Sequence, residues 1–184
     1  MNSELEVLFD VVHRLEGAGI EYMLTGSFAM SAYVQPRMTR DIDIVVELAQ
    51  ADPGRVVALF SPDYYVADDA VRSAISARGI FNLFHFSRLI KVDLIVRNED
   101  EFQVHEFARR ERREFAGRPL WVIGKEDLIL AKLAWAAPTG SAFQLRDVQK
   151  LLASGVDEAY LRRWSAQLGV EALLERCMDA GYDP

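Results

Sequence analysis

Two aspartates stand two residues apart at the head of an apolar run, Asp41-Ile42-Asp43-Ile44-Val45-Val46. No other feature of the chain constrains its fold so tightly. The β-branched residues predict a strand over residues 41–48. A strand's side chains alternate, so both carboxylates leave one face while Ile42 and Ile44 point into a core. Neighbouring like charges repel, and aspartate has poor strand propensity. Either the face is open to water, or a cation relieves the repulsion, and hard carboxylate oxygens suit Mg²⁺. A second apolar run, Val92-Asp93-Leu94-Ile95-Val96, also carries an aspartate, which is costly to bury without compensation. If this strand lies beside 41–46 with Asp93 on the same face, three carboxylates converge. Three carboxylates around two Mg²⁺ ions suit phosphoryl or nucleotidyl transfer.

Upstream, the short strand over 20–25 runs into Gly26-Ser27, and helical composition resumes at residues 28–33. Glycine permits a sharp turn and the close approach of a phosphate, and the N–H groups of a starting helix favour an anion. Ser27 either adds a hydroxyl to such a site or caps the helix.

The rest of the chain alternates strands and helices as far as about residue 123. A helix is expected over 4–16, then one from the N-cap Asp52 and Pro53 to residue 60, and one capped by Asp68 or Asp69 to residue 77. Residues 64–66 form a short strand, and the runs 79–86 and 89–96 form a hairpin turning at Ser87-Arg88. A helix over 99–111 and short strands at 113–115 and 120–123 complete this part. Four helices follow: 125–136, broken by Pro138, then 145–153, 157–168 and 170–180. The expectation is an α/β (α+β) fold: a small mixed sheet flanked by helices over residues 1–123, with a helical subdomain over 124–184, in one compact unit.

Composition excludes several classes. With 51% hydrophobic and 27% charged residues in 184, the chain is a folded globule. No apolar segment reaches the 18 residues of a membrane span. The opening MNSELEVLFD is acidic where a signal peptide would be basic. One cysteine, Cys177, permits no internal disulfide and reads as core, so a cytoplasmic location is expected. The net charge of −7 gives no general grip on nucleic acid. Five arginines do cluster locally, Arg109, Arg110, Arg112, Arg113 and Arg118, with Glu106, Glu111 and Glu114 among them. They read as a self-paired solvated face or as a phosphate-facing patch.

The ordered set Gly26-Ser27, thirteen residues, Asp41-Ile42-Asp43, and a later Asp93 in an apolar strand resembles the polymerase-β-like nucleotidyltransferase superfamily. Phe81-Asn82-Leu83-Phe84-His85 with Lys91-Val92-Asp93-Leu94 resembles the third-carboxylate region of small bacterial members. Glu126-Asp127-Leu128-Ile129-Leu130-Ala131-Lys132-Leu133 and Leu145-Arg146-Asp147-Val148 resemble the C-terminal motifs of AbiEii/MenT-type toxin nucleotidyltransferases. The resemblance covers about residues 20–153.

It implies a Mg²⁺-dependent enzyme that moves a nucleoside monophosphate from an NTP such as ATP to a hydroxyl. By position, Gly26 and Ser27 contact the triphosphate and Thr39 reaches a phosphate. Asp41 and Asp43 bind Mg²⁺, and Asp93 completes a two-metal site or acts as base. Lys132 lies on a phosphate, with Asp147 positioning it or the acceptor. Read from the residues alone, Lys132 is equally a snorkelling lysine and Asp147 ordinary helix-surface charge. The toxin resemblance implies an RNA acceptor, the 3′ end of tRNA, and a cognate antitoxin protein. A small molecule or protein acceptor, or a silent nucleotide-binding regulatory module, is the alternative.

Overall fold

A computed structural model describes residues 3–35, 41–48 and 52–180 of the chain. Helix α1 (Ser3–Gly17) leads into strand β1 (Tyr22–Thr25), helix α2 (Gly26–Ala29) and a 3₁₀ turn over Met30–Ala32. Strand β2 (Ile42–Val46), helix α3 (Pro53–Phe60), strand β3 (Tyr64–Tyr65), helix α4 (Asp68–Ala77) and strands β4 (Ile80–His85) and β5 (Lys91–Val96) follow. Helix α5 (Glu101–Ala108) precedes strands β6 (Glu111–Phe115) and β7 (Arg118–Val122). The remainder is helical: α6 (Lys125–Thr139), α7 (Ala142–Ala153), α8 (Glu158–Leu168) and α9 (Glu171–Ala180). Among the described residues no helix is long and apolar enough to cross a membrane.

The seven strands form one mixed sheet in the order β3-β4-β5-β2-β1-β7-β6. Strand β2 runs parallel to β5 and antiparallel to β1, and β1 runs parallel to β7. One face is continuously apolar: Ile42, Ile44, Val46, Phe81, Leu83, Val92 and Leu94 are all buried, as period-2 alternation requires. The mixed α/β architecture is the one expected.

Several local expectations shift. Asp52 does cap α3, accepting from the Gly54 N–H at 2.9 Å. The cap of α4 is Ala67, with no side-chain bond, and Asp68 and Asp69 lie inside the first turn. The β4–β5 hairpin forms, but the positive φ falls on Leu89 (53°) rather than on Ser87 or Arg88. Helix α5 stops at Ala108, and β6 starts at Glu111. Pro138 does not break α6, which runs on to Thr139. The peptide N–H that proline lacks would have served only the last turn, and Gly140 then closes the helix in the left-handed conformation.

Helix α6 is anchored at its start, which matters because it walls the site. Ile123 N–H donates to Leu24 O at 3.0 Å, tying the approach to α6 onto β1. Asp127 in the first turn is fully buried. It accepts from Arg109 Nε at 3.1 Å and from the Tyr160 hydroxyl, which fixes α6 to the end of α5 and to α8.

Candidate active site

Strand β1 ends where the chain must turn beside the first residues of β2, with Thr25 paired to Asp43. Gly26 takes φ of 66° there, and a Cβ at this position would lie 2.0 Å from Asp43 Oδ2. The glycine is thus required first by the Asp43 carboxylate, which packs directly on the Gly26 backbone. The residue capping α2 is Thr25, without a side-chain bond, so Ser27 is inside the helix rather than its cap. Ser27 is buried and faces a cleft.

That cleft, about 240 Å³, is lined by Thr25, Gly26 and Ser27 from the β1–α2 turn, Asp41 and Asp43 from β2 and its approach, and Asp93 and Ile95 from β5. Leu128, Ala131, Lys132 and Trp135 of α6, with Gln144 of α7, form the opposite wall. The α6 positions recur at three and four residues, one face of a helix. Gly26, Ser27, Asp41, Asp43, Asp93 and Lys132 are therefore brought together. Asp147 stands one layer back and reaches the cleft through Lys132. Thr39 lies outside the described residues.

The sheet register explains the carboxylates. Asp43 pairs with Asp93 across β2–β5, Thr25 pairs with Asp43 across β1–β2, and Asn82 pairs with Asp93 across β4–β5. One transverse row, Asn82, Asp93, Asp43, Thr25, thus crosses four strands on the face opposite the apolar core. The Asn82 side-chain amide donates to Asp93 Oδ1, and Lys91 Nζ sits 2.9 Å from Asp93 Oδ2. Burial, with the charges of Asp93 and Asp41 adding to it, pushes the Asp43 carboxyl up to about 6. Among the described residues, no group of three carboxylate, histidine or cysteine side chains is close enough to ligate one metal ion. Asp93 is held to Lys91 and Asn82 instead. Asp41 and Asp43 remain a suitable donor pair for a hard cation. Mg²⁺ commonly takes one or two carboxylates and fills its other positions from substrate phosphates and water.

Lys132 is no snorkelling surface lysine. Its Nζ is 2.9 Å from Asp147 Oδ2 and 3.0 Å from Gln144 Oε1, and the side chains of Lys132 and Asp147 are each 3% exposed. A charge this deep survives only with such partners. Sequence reasoning missed Asn82, Lys91 and Gln144. Gln144 carried a signal, since it precedes Asp147 by three on one helix face. Asn82 and Lys91 fall within the runs that resemble a third-carboxylate region, but their contact with Asp93 depends on the hairpin register.

A family model described as aminoglycoside-2''-adenylyltransferase matches residues 7–117, more than half of the chain and all of the sheet-borne site residues. A search of curated protein sequences finds no match. Several solved structures share the fold. ANT(2'')-Ia in complex with adenylyl-2''-tobramycin is 14% identical, with 97% of this chain and 99% of that one covered and a TM-score of 0.61. The lincosamide antibiotic adenylyltransferase LnuA, lincomycin-bound, is 17% identical over 84% of this chain and 98% of that one, with a TM-score of 0.55. An antigenic nucleotidyltransferase-like protein from Paracoccidioides brasiliensis is 14% identical over 100% and 95%, with a TM-score of 0.56.

Proposed function

The chain belongs to the aminoglycoside-2''-adenylyltransferase family, and from that premise we propose that this nucleotidyltransferase moves AMP from ATP to a hydroxyl of a small molecule. The observation that carries the reading is the adjacency of Asp43 and Asp93 in register, with Gly26, Ser27 and Lys132 lining the same cleft. Gly26 and Ser27 hold the triphosphate, and Lys132 offsets its charge from the α6 wall. Asp147 and Gln144 keep the lysine ammonium aimed into the cleft. A Mg²⁺ ion on Asp41 and Asp43 would neutralise charge on the triphosphate when bound.

Asp93, fixed by Lys91 and Asn82, orients the acceptor hydroxyl and takes its proton. The acceptor oxygen forms a bond to the α-phosphorus as the bond from that phosphorus to the bridging oxygen breaks, and pyrophosphate leaves. Positioning and electrostatics supply most of the rate.

The nature of the acceptor turns on the arginine cluster. Arg109 pairs with Asp127 at 3.1 Å, Arg110 with Glu21 at 2.8 Å, Arg112 with Glu16 at 3.9 Å and Arg113 with Glu111 at 2.6 Å. Strand β6, which carries Arg112 and Arg113, is the sheet edge remote from Asp93. This internal pairing favours a small acceptor over the 3′ end of tRNA, on which the toxin and antitoxin reading depends.

The test is incubation of the protein with Mg²⁺, ATP labelled at the α-phosphate, and in separate reactions a panel of hydroxylated small molecules or total cellular RNA. Label in a small molecule with matching pyrophosphate release is expected. Label in tRNA-sized bands alone would replace this reading with the toxin one. Tight ATP binding with no transfer would make the chain a regulatory module.

A further inference from the structure

The sheet face that bears Asp93 does not stop at the cleft. Asn82 donates to the Asp93 carboxylate, so its side chain is on the same face. Ile80 and Phe84 flank it at two residues either side and share that face. Tyr65 pairs with Phe84 across β3–β4 and stands beside it. These side chains are exposed: Ile80 44%, Phe84 43% and Tyr65 58%, while Phe81 and Leu83 on the other face are buried. Ile80 is also the register partner of Ile95, which lines the cleft. An aromatic and aliphatic platform therefore runs from the catalytic row out to the edge of the sheet.

An in-line displacement needs the attacking and leaving oxygens on opposite sides of the phosphorus. With the triphosphate on the Gly26–Ser27 side, the acceptor must approach over β5 and β4, across this platform. Its charge is informative. The described residues of β3, β4 and β5 on this face are Tyr65, Ile80, Asn82, Phe84, Lys91, Asp93 and Ile95. The charged pair among them, Lys91 and Asp93, is 2.9 Å apart. With Asp41 and Asp43 engaged by Mg²⁺ as in the transferase reading, a polyamine arriving here meets an ammonium group and a carboxylate already paired with it, whereas a ring or sugar face meets two aromatic side chains.

We propose that Tyr65, Ile80 and Phe84 form the acceptor-binding platform, and that the acceptor is an uncharged, ring-bearing hydroxyl compound rather than a polycationic amino sugar. This rests on the transferase reading above. The test uses two probes, p-nitrophenyl glucoside and tobramycin, with affinities measured by ligand-observed NMR on the full chain. ATP binding to the wild type is measured in parallel. The glucoside should bind more tightly than tobramycin. Phe84→Ala and Tyr65→Ala should each weaken it by about three- to tenfold, the worth of one aromatic contact. Phe84→Glu should reverse the preference, weakening the glucoside and strengthening tobramycin, an outcome that misfolding cannot mimic. Tighter tobramycin binding to the wild type, no binding of either probe, or glucoside affinity unmoved by both alanine variants would overturn the proposal. Failure to bind ATP would instead remove the transferase reading beneath it.

Discussion

Asp43 sets the terms at the scale of single residues. A carboxyl that binds its proton more tightly in the folded than in the unfolded chain adds stability at low pH. It loses that contribution as the pH rises through its folded value. For Asp43 the window runs from the ordinary 3.8 up to about 6, because burial and the neighbouring Asp93 and Asp41 all disfavour the charge. Without divalent cation, the wild type should therefore melt at higher temperature at pH 5 than at pH 7. Asp43→Asn should reduce that difference to the part owed to Glu106, whose carboxyl burial also pushes well above the ordinary carboxylate range, raise stability at pH 7 by up to a few kcal/mol and abolish transfer. Equal pH dependence in the two proteins would place the repulsion elsewhere. Much at this scale was legible in the sequence. Gly26, Ser27, Asp41, Asp43, Asp93 and Lys132 stand out because each is a polar or special-backbone residue in an apolar setting. Asn82 and Lys91 do not, since their meaning depends on which residue faces them, and the turn that fixes this register places its positive φ on a leucine, Leu89.

Helix α6 decides the matter at the scale of elements. Its Lys132 and the α7 residue Asp147 form a buried pair, and breaking such a pair from one side leaves a charge without its carboxylate. Asp147→Ala should cost about 3–5 kcal/mol in urea denaturation. Gln144→Ala, removing one hydrogen bond to the same ammonium, should cost about 1–3 kcal/mol. A loss for Asp147→Ala no larger than about 1 kcal/mol would show that the buried ammonium does not depend on its carboxylate. The motif around Lys132 was visible in the sequence, but its depth was not, because burial is a property of what packs over the residue. The end of α6 differs from the expected residue 136 because of where its proline falls. Pro138 removes one i→i−4 hydrogen bond, but it lies one residue from the end, so almost no helix remains beyond it to be lost.

The whole molecule is organised by the parallel pairing of β2 with β5, and neither alternation nor turn chemistry foretells it. The strands themselves could be read, whereas their order could not, because order is chosen by the crossover helices and by which faces need covering. A site that gathers like charges should be steadied by what neutralises them. Mg²⁺ and ATP together, at 100 times their dissociation constant, should add about 2.7 kcal/mol to stability. A melting temperature insensitive to the pair would count against the cleft as a nucleotide site. The transverse row of Asn82, Asp93, Asp43 and Thr25 also constrains the order of folding. Its members form two local pairs, Thr25 with Asp43 and Asn82 with Asp93, joined only by the long-range parallel pairing of Asp43 with Asp93, so neither local fragment holds both central carboxylates. Loop-closure entropy delays such distant pairings, and the row completes only when the central sheet does. Activity and the circular dichroism of the sheet should accordingly disappear at one denaturant midpoint, and on refolding the ability to transfer AMP should be among the last properties to return.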